Sequence, residues 1–207
     1  MKVRPLAVRG AFEFRAEVFP DDRGRFCTPY EAQAFHDDVG RLPFPVARTS
    51  FSTSRKGVVR GVHYSRAATA GEKYVFCPGG ACLDLVVDVR VGSPTYGRWD
   101  CVTLGPDTGR ALYLPKGVGH GFVALRDETV MCYQMSNAYV PEDELAVSVL
   151  DAELGLPIPS GIEPVLSERD RAATSLAAAR SAGLLPGYEP VASAASSSSQ
   201  NCLAQRR

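Results

Sequence analysis

The chain has 207 residues, 45% of them hydrophobic, which allows one domain with a sizeable core. Lysine plus arginine and aspartate plus glutamate each total 23, so the formal charge is zero; this argues against nucleic acid or an anionic membrane as the main partner, because both ask for a basic surface. No apolar run is long enough to span a bilayer, no leader pattern opens the sequence, and the six cysteines form no Cys-x-x-Cys pair, so a cytoplasmic protein with free, buried thiols and no zinc site is expected.

Residues 1–20 alternate in hydrophobicity and predict two or three short strands. The stretch 21–26 (Asp-Asp-Arg-Gly-Arg-Phe) reads as a charged turn carrying one aromatic. A short helix is predicted over 29–38, begun by Pro29. From 46 to 149 the pattern is strand nearly throughout: 46–53, 58–65, 73–77, 81–90, 99–104, 110–114, 121–126, 128–137 and 145–149. Glycine- and proline-rich turns separate these runs and no helical period intervenes, so the expected class is all-β, a sandwich or barrel with short flanking helices. Residues 167–183 are rich in helix formers, with Ser167 as N-cap and Gly183 as stop. One domain over 1–187 is expected. The low-complexity tail, 188–207, is expected to be disordered.

The strand at Gly57–Tyr64 carries His63, one of three histidines. Strict alternation puts Val59, Gly61 and His63 on one face and Arg60 on the other. Gly61 permits a close approach of another group beside His63. Taken alone, His63 is a packed histidine, Lys73 a solvated strand-end charge, Tyr133 a core aromatic and Asp170 a first-turn acid favoured by the helix dipole. The run Gly109 to His120, with Pro115-x-Gly117-x-x-His120, resembles the second cupin motif and supports a small jelly-roll barrel. The first cupin motif would supply His-x-His, but His63 is followed by Tyr64 and Ser65. No metal is therefore expected, and His63 is left to work by proton transfer.

Longer runs carry a more specific resemblance. Arg60-Gly-Val-His63-Tyr64 with Lys73, Asp84 through Trp99, Tyr113 through Phe122, and Leu166-Ser-Glu-Arg-Asp170 are similar to the dTDP-4-keto-6-deoxyhexose 3,5-epimerases. Asp143-Glu-Leu-Ala146 and Gly155-Leu-Pro-Ile158 look most like that family's antibiotic-sugar branch. The resemblance implies a cupin-like jelly-roll barrel that epimerises a dTDP-sugar without a cofactor. It implies His63 as general base, Asp170 as the group orienting its imidazole, Tyr133 as the acid on the opposite face and Lys73 as the enolate stabiliser. It also implies substrate contacts from Arg60, Tyr139 and His120. Arg23 and Phe26 would reach the nucleotide across a homodimer interface. The chemistry is coherent: a proton α to a ketone needs a placed base and a stabilised enolate. An ordinary imidazole, pKa about 6.5, suits neutral pH, and an ordinary phenol, pKa about 10, stays protonated to donate.

The chain departs from the rhamnose-pathway pattern at Arg48, Ser50 and Phe51, and Thr28 replaces an acid. Arg48 and Phe51 near the ring suggest one sugar pose and hence C5 as the main centre inverted, C3 less so. A 3-epimerase, a 3,4-ketoisomerase on the same barrel, and a non-catalytic sugar-nucleotide-binding module are the alternatives.

Overall fold

A computed structural model describes residues 1–66 and 68–190. The Ser-rich stretch expected to be disordered lies outside them from residue 191 on. In chain order the elements are β1 (Lys2–Pro5), β2 (Phe12–Arg15), β3 (Val18–Asp21), β4 (Gly24–Cys27), α1 (Ala32–Val39), β5 (Arg48–Ser54), β6 (Val59–Ser65), β7 (Lys73–Gly79) and β8 (Cys82–Val87). Then follow β9 (Trp99–Leu104), β10 (Arg110–Leu114), β11 (Gly119–Ala124), β12 (Thr129–Met135), β13 (Glu144–Ala146), α2 (Glu168–Arg171) and α3 (Leu176–Ser181).

One sheet has the order β1-β2-β10-β7-β12-β5, and the other β13-β6-β11-β8-β9. Their strand pairings are all antiparallel. The sheets face each other as a cupin-like jelly-roll, because each contributes an apolar inner face. Val75, Leu112 and Met131 from the first meet Val86, Leu104 and Phe122 from the second in a common core. The outer faces are covered by helices. On the six-stranded sheet, Phe35 of α1 packs against Phe14, Tyr74 and Tyr113. On the five-stranded sheet, Leu176 and Ala179 of α3 pack with Val62, Tyr64 and Val87.

The predicted strands are found with shifted ends, and the shifts have causes. The strand expected to reach residue 90 stops at Val87. Beyond it the buried Asp88 carboxylate accepts bonds from Arg90, Ser93 and Thr95 and turns the chain. The charged turn at 21–26 is a hairpin, β3 paired with β4. Helix α1 begins at Ala32 because Pro29 is held out of it, its carbonyl accepting from the Tyr74 hydroxyl at 2.7 Å. The single helix predicted over 167–183 is two. Thr174, between them, bridges to Val147, and its carbonyl accepts from Ser148 N, so its backbone is used by sheet-like pairing. Ser167 and Ser175 then cap the two helices separately, each accepting from the amide three residues on. Alanine-rich propensity yields to this tertiary pairing. The five cysteines described are free, and Cys77 and Cys82 are buried. No helix among the described residues is long and apolar enough to cross a membrane.

Candidate active site

The inner faces of the two sheets separate at one end into a cavity of about 240 Å3. One wall comes from the six-stranded sheet: Arg48 and Ser50 of β5, Lys73 of β7, Tyr133 and Met135 of β12. The facing wall comes from the five-stranded sheet: Arg60 and His63 of β6, His120 and Phe122 of β11, Glu144 of β13. Tyr139, half exposed, stands at the side, with the Arg48 guanidinium 5.0 Å from its ring centre. A second cavity, about 330 Å3, adjoins the first through Arg60 and His63 and is also lined by Ser167, Arg169 and Asp170.

Strict alternation had put Arg60 and His63 on opposite faces; both line the cavity. The reason is a register shift: β11 moves two residues, His120 to Phe122, while β6 moves three, His63 to Arg60. The extra residue turns Arg60 to the side His63 occupies. Gly61 is required there. Its φ is +120°, and a Cβ on it would lie 2.5 Å from Gly121 Cα and 2.6 Å from the His120 carbonyl. The close approach expected at Gly61 is thus made by the backbone of β11.

His63 Nε2 donates to Asp170 Oδ1 at 2.5 Å across 107 residues of sequence. Asp170 is 3% exposed and sits on α2, whose cap Ser167 accepts from its amide. Burial alone would raise the Asp170 carboxyl, but the hydrogen bond and charge of His63, joined by Ser167, hold it below the ordinary value. A charged Asp170 fixes the proton on Nε2 and leaves Nδ1 as the lone-pair nitrogen. A second pair lies beside the first: His120, the cross-strand partner of His63, has Nε2 2.9 and 3.0 Å from the two oxygens of the fully buried Asp84.

On the opposite wall Tyr133 is edge-on to His120, ring centres 6.0 Å apart, and its Oη is 3.4 Å from Ser52 Oγ. Burial raises the Tyr133 phenol well above its ordinary value, despite the Ser52 contact and the Arg60 charge that pull it down. Lys73 is not a solvated edge charge. It is half-buried on β7, between β10 and β12. Burial pushes its ammonium down; Glu144 and Asp84 push it back up, and Arg48 and Arg169 lower it. Such an arrangement can remove a proton from one side of a small ring, hold negative charge at Lys73 and offer a proton from the other side.

Nine predicted residues thus meet at or directly behind one cavity: Arg48, Ser50, Arg60, His63, Lys73, His120, Tyr133 and Tyr139 on its walls, and Asp170 behind His63. One expectation fails. Phe51 is 74% exposed and points away from the cavity, because residues on either side of it, Arg48, Ser50 and Ser52, take the inner face of β5. Arg23 and Phe26 lie on the β3–β4 hairpin outside this cavity; Arg23 pairs with Asp21 of its own hairpin, and Phe26 is 67% exposed. Asp84, Glu144 and Ser52 went unassigned in the sequence. Asp84 had a signal, a charge on the otherwise apolar inner face of Cys82–Val87. Glu144, which accepts from Ser65 at 2.8 Å, had none. Among the described residues, no three or more His, Cys, Asp or Glu are grouped to hold a metal ion.

The sequence model of the dTDP-4-dehydrorhamnose 3,5-epimerase family matches residues 5–178. A Streptomyces griseus dTDP-4-dehydrorhamnose 3,5-epimerase is 45% identical over 205 residues, 99% of this chain and 96% of the relative. The crystal structure of a 4-keto-6-deoxy sugar epimerase from the novobiocin gene cluster of Streptomyces spheroides superposes with a TM-score of 0.86 at 46% identity, covering 91% of this chain and 94% of that one. A 3'-monoepimerase from Streptomyces bikiniensis, solved with dTDP-quinovose, superposes with a TM-score of 0.84 at 41% identity, covering 89% and 92%.

Proposed function

The chain belongs to the dTDP-4-dehydrorhamnose 3,5-epimerase family and is an isomerase of deoxysugar biosynthesis, and from that premise we propose that its substrate is a dTDP-4-keto-6-deoxyhexose inverted at C3. The observation that carries the reading is the placement of His63–Asp170 on one sheet and Tyr133 on the sheet facing it. A ring held between them meets a base on one side and an acid on the other, which is what inversion requires.

His63 takes the proton α to the C4 ketone. Lys73, half-buried on the cavity wall, stabilises the resulting enolate oxygen. Tyr133 delivers a proton to the opposite face of the same carbon. The negative charge stored in the enolate is why no cofactor enters the scheme. Arg60, between the two cavities, binds diphosphate. Arg48, Ser50, His120 and Tyr139 contact the sugar.

The choice of C3 departs from the sequence expectation of C5. That expectation rested on Arg48 and Phe51 pinning the ring and on the resemblance to the antibiotic-sugar branch; of these, Phe51 faces away. The two relatives above whose names give a carbon both include C3. Incubation of a dTDP-4-keto-6-deoxyhexose in D2O, followed by NMR, is expected to show deuterium and inversion at C3. Exchange confined to C5 overturns the choice of carbon. Exchange at neither carbon overturns the epimerase assignment.

The proposal extends to a homodimer in which the β3–β4 hairpin of a second copy brings Arg23 and Phe26 to the nucleotide. Support comes from two exposed aromatics, Phe19 and Phe26, on a hairpin that is not part of its own chain's cavity. Light scattering at assay concentration is expected to give twice the monomer mass. A fully active monomer contradicts the shared site.

A further inference from the structure

Resting on the reading of Tyr133 as the acid, we propose that Ser52 returns the proton that Tyr133 gives up, making β5 the proton inlet of the enzyme.

Each turnover that inverts a centre leaves His63 with a proton gained and Tyr133 with a proton lost. Both must be reset before the next substrate. His63 borders both cavities and can release its proton there. Tyr133 is partly buried and lines the same cavity, so while the sugar fills that cavity its phenolate is restored by a donor outside it.

Ser52 is placed to be that donor. Its Oγ is 3.4 Å from Tyr133 Oη. In the antiparallel register Tyr133 faces Ser50, and Met131 faces Ser52, so Ser52 is the diagonal neighbour of Tyr133. A side chain as long as tyrosine spans that diagonal. The inner face of β5 carries hydroxyls in succession. Ser50 lines the cavity, Ser52 meets Tyr133, and Ser54 accepts from Arg60 Nε at 3.1 Å. β5 is also the last strand of its sheet, and its alternate residues Thr49, Phe51 and Thr53 are exposed. Ser52 itself is only partly buried, which leaves it open to water.

The step balances without a co-reactant. The Tyr133 Oη–H bond breaks as the proton moves to the sugar carbon. Ser52 Oγ–H then passes its proton to Tyr133 Oη, and a water proton replaces it on Ser52. A second proton leaves His63 for solvent, so one enters and one departs per inversion. The Arg60 guanidinium, tied to Ser54, lowers the cost of the short-lived phenolate.

The test separates the first turnover from later ones. Tyr133 starts each experiment with its own proton, so Ser52→Ala is expected to invert one substrate per site at the wild-type rate. Later turnovers are expected to slow by about tenfold, giving a burst, with a larger solvent isotope effect on the slow phase alone. Ser52→Thr keeps the hydroxyl and is expected to abolish the burst and restore the rate. Rapid quench of the dTDP-4-keto-6-deoxyhexose reaction, with products trapped by borohydride, reads both phases. First and later turnovers slowed together in Ser52→Ala, or neither slowed, overturns the relay. Tyr133→Phe in the same assay checks the underlying reading: inversion at the wild-type rate there overturns the acid role itself.

Discussion

His63→Ala is expected to lose about 10²–10⁴-fold in solvent exchange at the sugar, with nucleotide binding nearly unchanged. The size follows from its position. It is a cavity-lining histidine whose second nitrogen is committed to a buried, charged carboxylate. The other candidate, His120, has the same kind of carboxylate partner in Asp84, but its side chain is 5% exposed where that of His63 is 28% exposed, so it is the poorer base. Binding survives because Arg60 holds its place through Ser54 and not through His63. Deuterium wash-in by NMR, beside a titration with dTDP, measures both. A variant keeping more than about a tenth of the wild-type exchange rate contradicts the role, given the range for a lost general base.

Tyr133→Phe is expected to separate two events that are joined in the native enzyme. Proton loss to His63 continues, so deuterium still enters from the base side. Delivery from the opposite sheet stops, and inversion falls by about 10²–10⁴-fold. The same NMR experiment reads exchange and configuration in one spectrum. Loss of both together would mean that Tyr133 shapes the pocket instead of donating. Because burial holds the phenol above its ordinary value, wild-type inversion should show no alkaline loss from Tyr133 ionisation at or below the ordinary tyrosine value of 10.0.

Much of this was legible in the chain because a strand with one buried face writes its period into the residues. The strands from 46 to 149 are found for that reason. Arg48 and Ser50 facing in already required Phe51 to face out, so placing Phe51 beside the sugar misread a signal that was present. What could not be read locally depends on contacts between distant segments. Asp170 reaches His63 across 107 residues, and only the resemblance brought them together. The extra residue at Gly61–Val62 has no periodic signature, since one bulge reverses the face of everything on one side of it. The break at Thr174 is likewise written in Val147 and Ser148, not in the alanine-rich run it interrupts.

The two walls of the cavity belong to different sheets, and nothing in the cavity sets the distance between them. That distance is set underneath, where Val75, Val86 and Met131 hold the layers apart. Stacked sheets stand about 10 Å from each other, and a pyranose ring with a hydrogen-bonding group on each side fills a gap of that order. The core therefore acts as a calliper: it gauges the thickness of ring that can touch base and acid at once. A family built on this plan can exchange the side chains that decorate the sugar and take up a new substrate. It cannot loosen its core without first losing the ability to finish an inversion it can still begin.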